Sequence, residues 1–97
     1  MSILVLFEMD AAPGRLDDLT AMLAEQLPDT RRFDGCESVT VHRDQDAPDR
    51  LTLVERWSER AKHQAYVRWR TDRGDVGPLA ALLAGPPAAR YFDDVEI

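Results

Sequence analysis

The stretch "ILVLFEM" near the start of the chain constrains the fold more than any other feature. It is a continuous run of apolar and β-favouring residues closed by the breaker "AAPG", and it reads as a buried central strand over about residues 2–9. Ile3, Val5 and Phe7 fall on one face and Leu4 and Leu6 on the other. Both faces of this strand therefore need cover, and a chain of 97 residues has material for one modest core.

The helix that follows shows where half of that cover comes from. Leu16, Leu19, Leu23 and Leu27 form one helical stripe. Pro13 suits the first turn, and Asp17 and Asp18 sit where the helix dipole favours negative charge. Pro28 is expected to end or distort this helix, with Arg31 and Arg32 after it.

Next comes a hairpin. Val39 and Val41 face one way and Ser38, Thr40 and His42 the other. "DQDAPD" is a turn cluster. The return strand alternates Leu51, Leu53, Glu55 and Trp57 against Thr52, Val54 and Arg56.

Ser58 is the expected N-cap of a second helix running to about Arg73, before Gly74. A short helix, "GPLAALLAG", is expected next, with Pro78 near its start, and "ARYFDDVEI" is read as the last strand. The order β-α-β-β-α-(α)-β is that of a ferredoxin-like split-βαβ fold: a single α+β domain over 1–97, an antiparallel sheet with helices on one face. The uncovered face, with an apolar first strand, predicts a homodimer packed sheet to sheet.

Composition narrows the partners. Twelve basic and eighteen acidic residues give a net charge of −6, which disfavours a nucleic-acid partner. No segment is long and apolar enough to cross a membrane, and the N-terminal run has no basic region before it, so it reads as a strand and not as a signal peptide. The single cysteine, Cys36, favours a reducing compartment, so a cytoplasmic location is expected. One Cys and two distant His lack zinc-ligand spacing, and no metal site is expected.

The element order, with Pro13-Gly14, Gly35-Cys36, Ala47-Pro48-Asp49 and Glu55-Arg56-Trp57 at these spacings, resembles the antibiotic biosynthesis monooxygenase domain, in its quinol-monooxygenase-like branch. The resemblance covers nearly the whole chain. It implies a dimeric α+β barrel and, in some members, cofactor-free oxidation of hydroquinones or polyketide anthrones by molecular oxygen. Many members carry a histidine on the second helix about nine residues after the tryptophan; here that position is Tyr66, and the nearby histidine is His63. The haem-degrading branch, which uses the helix histidine as iron ligand, is therefore a poor match.

On the second helix His63, Tyr66 and Arg70 make one line, and Ala61, Ala65 and Trp69 its neighbour. The expectation is that the alanine line packs on the sheet and that the seam between the lines receives an aromatic molecule. For cofactor-free oxygenation His63 is the expected base, Arg70 the stabiliser of the substrate anion and Tyr66 a hydrogen bond to a substrate oxygen. Trp57, Trp69 and Phe7 are expected to wall the pocket. The structural alternatives are a core anchor for Trp57 and a solvated or ion-paired Arg70. Glu8 and Glu55, in otherwise apolar strands, end a strand, pair with an arginine or face a pocket; the sequence does not choose. Two further readings of function stand beside the oxygenase: a non-catalytic dimeric small-molecule-binding or accessory domain, and an isomerase or cyclase.

Overall fold

The structure, a computed structural model, describes residues 2–97. Four strands, β1 (Ile3–Asp10), β2 (Cys36–Arg43), β3 (Arg50–Trp57) and β4 (Ala88–Phe92), form one antiparallel sheet in the order β2-β3-β1-β4. The strand that needs cover on both sides, β1, is central. Three helices, α1 (Leu16–Arg32), α2 (Arg60–Asp72) and α3 (Val76–Ala80), complete the ferredoxin-like α+β fold. Among the described residues, no helix is long and apolar enough to cross a membrane.

The alternation in β3 predicts its burial closely: Leu51, Leu53, Glu55 and Trp57 are all buried. Leu51 and Leu53 pack with Met9, Val39 and the α1 stripe of Leu19, Leu23 and Leu27. Val39 and Val41 share a face, but β2 is an edge strand and Val41 is left exposed. On the opposite face of the sheet Leu4, Leu6 and Val54 are half-buried and Phe92 is exposed. Glu8 lies on that face, 3.7 Å from Arg90.

Four local expectations are corrected. Pro28 does not end α1, which continues to Arg32. The proline removes the bond to the carbonyl four residues back, but burial of Leu27 and Thr30 on either side holds the turn. Ser58 is not the N-cap of α2. Glu59 stands there without a side-chain cap, while the Ser58 N–H donates to the Gly35 carbonyl at 2.8 Å. Gly35 has φ +93°, and a Cβ there would lie 2.5 Å from Cβ of Lys62; only glycine lets the start of β2 approach α2 this closely. The last strand stops at Phe92, so residues 93–97 lie outside it. Finally, the alanine line of α2 does not face the sheet. Ala61 is exposed and Ala65 half-buried, whereas His63 and Arg70 are the buried residues of this helix. A helix that turns its polar line inward must find partners for those groups.

Gly74, with φ +82°, closes α2 as expected. The Asp75 N–H bonds the Arg70 carbonyl and the Gly74 N–H bonds that of Thr71, each at 3.0 Å. This pair of bonds is a Schellman closure. It folds Asp75 back beside the Arg70 side chain.

Candidate functional site

A cavity of about 310 Å³ lies between the inner face of the sheet and the helices. Phe7, Met9 and Leu53 form its floor, and Leu23 and Leu27 of α1 one wall. Val76 and Leu79 of α3, with Pro87, line it further. Polar side chains enter this apolar space at two places.

The first is a closed cluster around Arg70. Its Nε donates to the Tyr66 hydroxyl at 2.9 Å, and one terminal nitrogen donates to Asp75 Oδ2 at 3.0 Å. The other terminal nitrogen donates to the Gln26 carbonyl at 2.8 Å and to Thr30 Oγ1 at 3.3 Å. Thr30 Oγ1 and the Tyr66 hydroxyl share a further bond of 2.6 Å. Burial opposes the charge of Arg70, yet the bonds to Tyr66 and Asp75 outweigh it and hold its pKa above the usual value. Every nitrogen of the guanidinium is thus engaged by the protein. The expected role of Arg70, stabilising a substrate anion, meets a side chain with four of its five N–H donors used to tie α1, α2 and Asp75 together.

The second cluster is open. Glu55 and His63 are 4% and 2% exposed. Trp57 Nε1–H donates to Glu55 Oε1 at 2.8 Å, and His63 Nε2 lies 3.9 Å from the same oxygen, beyond hydrogen-bond reach. His63 Nδ1 and the Tyr91 hydroxyl are 2.7 Å apart. Among the described residues, no side-chain nitrogen or oxygen wholly shut away from solvent lacks a partner. His63 Nε2 makes no hydrogen bond, so it opens on the cavity that both His63 and Glu55 line. Burial raises the pKa of Glu55, with the Trp57 bond working against it, and pushes His63 down to about 4. Both shifts have one cause: low-dielectric surroundings favour the neutral form of either group. At neutral pH, His63 is uncharged.

The structure brings His63, Tyr66, Arg70 and Phe7 to one cavity. Neither tryptophan lines it, against expectation. Trp57 is fully buried, with its ring against Phe33, Tyr66 and His63 and its N–H spent on Glu55. Trp69 lies on the neighbouring line of α2, where it packs on Phe33 and carries Arg70 and Arg73 at 4.7 and 4.8 Å from its ring. Glu55 enters the site from the inward phase of β3. That phase was readable in the strand's alternation; that it faced a cavity was not. Thr30, Asp75 and Tyr91 join through tertiary approach and carry no local signal. Among the described residues, no three His, Cys, Asp or Glu side chains converge as a metal site.

The sequence model of the antibiotic biosynthesis monooxygenases matches residues 2–70. No curated protein matches the chain. A Bordetella bronchiseptica protein provisionally named an antibiotic biosynthesis monooxygenase is 30% identical, with a TM-score of 0.84 over 98% of each chain. A conserved protein of Methanosarcina mazei, at 16% identity, also has a TM-score of 0.84, over 95% of this chain and 91% of its own. Rv0793 of Mycobacterium tuberculosis is 22% identical, with a TM-score of 0.77 over 100% of this chain and 98% of its own. The latter two likenesses speak to the fold alone.

Proposed function

The chain belongs to the antibiotic biosynthesis monooxygenase family, and from that premise we propose that its cavity binds a hydroxylated aromatic molecule, a quinol or polyketide-like phenol, and oxidises it with molecular oxygen without a cofactor. The observation that carries this reading is the Glu55–His63 pair, facing one another across 3.9 Å at the edge of a largely apolar cavity. Such a site supplies what the chemistry needs: a place for a proton, an aromatic-sized apolar volume and little water. Deprotonation breaks a substrate O–H or C–H bond and leaves the proton on the pair. The electron-rich anion reduces oxygen and forms a carbon–oxygen bond. Cleavage of the O–O bond leaves one oxygen atom on the product and releases the other as water, which takes up the two protons the substrate has lost.

The test is oxygen uptake by metal-free, flavin-free protein against a panel of hydroquinones and anthrones, with Glu55→Gln and His63→Gln beside the wild type. The expected outcome is uptake by wild type and a loss on the order of a hundredfold when the proton acceptor is removed. Uptake only after flavin or iron is added sinks the cofactor-free reading.

One observation favours a second reading, a non-catalytic binding domain: every nitrogen of the Arg70 guanidinium is engaged by the protein and four of its five N–H donors are spent, which weakens it as the partner of a substrate anion. Binding of panel members by calorimetry, with no uptake by any of them, decides for it.

The open sheet face supports a homodimer. Leu4, Leu6, Val54 and Phe92 form an apolar group there that a second copy would cover. Equilibrium sedimentation is expected to give twice the chain mass of 11.0 kDa; a monomer at high concentration rejects the dimer.

A further inference from the structure

The family match ends at residue 70, and the one hydrogen bond that the His63 ring makes among the described residues comes from beyond it. Tyr91 lies on β4, opposite Val5, and Val5 is opposite Glu55 on its other side. Tyr91, Val5 and Glu55 thus form one row across three strands on the inner face. The His63 ring bridges the ends of that row, with Nδ1 on Tyr91 and Nε2 towards Glu55.

The ring has little freedom. Trp57 and Tyr91 both meet it edge to face, at centroid distances of 5.2 and 5.4 Å. Tyr91 is itself braced, since the Arg60 guanidinium lies 4.1 Å from the centre of its ring, beside a small surface hollow. Arg60 and His63 are three residues apart on α2, so the same helix face holds both.

We infer that Tyr91 is a positioning residue that fixes His63 in the tautomer with its proton on Nε2, turned on Glu55, and that Glu55 is the group that accepts the substrate proton. The chemistry of the partners carries the tautomer. Glu55 Oε1 already accepts the Trp57 N–H, so it turns an acceptor oxygen on the His63 ring. A lone pair on Nε2 facing Oε1 would be repelled, whereas an N–H there is attracted. With the proton on Nε2, Nδ1 holds the lone pair, and the Tyr91 hydroxyl donates to it. Nδ1 is then committed to Tyr91 and Nε2 carries the ring proton, so His63 has no vacant basic site to offer. The downward displacement of its pKa by burial agrees with this. The carboxylate keeps an oxygen that Trp57 does not occupy. The step balances simply: a substrate O–H or C–H bond breaks, its electron pair stays on the substrate, and an O–H bond forms on Glu55. The base role rests on the oxygenase reading above; the tautomer does not.

The experiment is long-range proton–nitrogen NMR of histidine-labelled protein, with His42 separated by comparison with His63→Gln. The wild type is expected to show His63 as a single, neutral Nε2–H tautomer at neutral pH. Tyr91→Phe keeps the aromatic ring and removes the donor, and is expected to give a mixture of tautomers. A wild-type Nδ1–H tautomer, or a Tyr91→Phe spectrum identical to wild type, overturns the positioning role. Should the variant fold poorly, the wild-type spectrum alone still decides the tautomer.

The kinetic arm reads the base. Glu55→Gln is expected to lose on the order of a hundredfold in kcat. His63→Gln and Tyr91→Phe are expected to lose about tenfold, with KM held, because they only misplace a partner. A His63→Gln loss larger than that of Glu55→Gln overturns Glu55 as acceptor. A wild type that oxidises no panel member removes the base role together with the oxygenase reading, while the spectra still judge Tyr91.

Discussion

The Arg70 cluster and the Glu55–His63 cluster open on the same cavity, and they differ in how fully the protein satisfies them. Around Arg70 every nitrogen has an acceptor, drawn from α1, α2 and the turn after it. Around His63 one ring nitrogen has no hydrogen bond and faces a carboxylate at 3.9 Å. A closed network of buried polar groups rigidifies and is costly to break. An open one leaves a group that a ligand can engage. The difference separates a cluster built as scaffold from one left open to a ligand, although both draw on the same line of α2.

Breaking the closed cluster should show first in stability. Arg70→Ala leaves the Gln26 carbonyl and the Tyr66 hydroxyl without a charged donor and Asp75 with Arg73 alone, and is expected to cost about 3 kcal/mol in urea denaturation. A loss under about 1 kcal/mol, the scale of one ordinary hydrogen bond, would mean that the cluster is not the scaffold it resembles.

The open cluster should show next, in pH dependence. The pKa of His63 falls from 6.5 to about 4 on folding. Between these values the unfolded chain binds a proton that the folded chain does not, so stability falls as pH drops through that window and levels off below it. Glu55 works in the opposite sense. Its folded pKa is raised, so it contributes stability at low pH that is lost as pH rises through the folded value. His63→Gln is expected to flatten the profile by about 1–2 kcal/mol between pH 7 and 5, and Glu55→Gln to steepen it. A Glu55→Gln profile flat in this range would refute a buried neutral His63.

The smallest effect sharpens the boundary between the clusters. Tyr66 touches both, through its hydroxyl on Arg70 and Thr30 and its ring 6.2 Å from that of His63. Tyr66→Phe is expected to cost about 1 kcal/mol of stability and to change kcat less than that variant changes stability. A large loss of kcat in a stable Tyr66→Phe protein would give this hydroxyl the substrate contact expected from the sequence.

Much of the frame was legible in the residues. The alternation of Leu51, Leu53, Glu55 and Trp57, the leucine stripe of α1, and Gly74 after α2 each act through local geometry, and each appears where the pattern predicts. The misses share a cause. Pro28, Ser58 and the alanine line of α2 follow local preference in the sequence, and in each case packing overrode it. Leu27 and Thr30 carry α1 past its proline. Gly35 claims the backbone of Ser58. The sheet receives His63 and Arg70 because partners for them arrive from α1, the turn after α2 and β4.

By itself, then, the sequence determined the element order, the central place of β1, the strand phase that Glu55 shares with Leu51, Leu53 and Trp57, and the family pattern, because periodicity, breakers and short motifs are local properties of a chain. Only the tertiary structure decided that every nitrogen of Arg70 is engaged, that Trp57 serves Glu55 and not a ligand, and that Tyr91 reaches His63. Those facts depend on strand register and on groups up to 44 residues apart meeting within hydrogen-bond distance. A hydrogen bond acts over about 3 Å, so no pattern along the chain encodes it until the fold has brought its ends together.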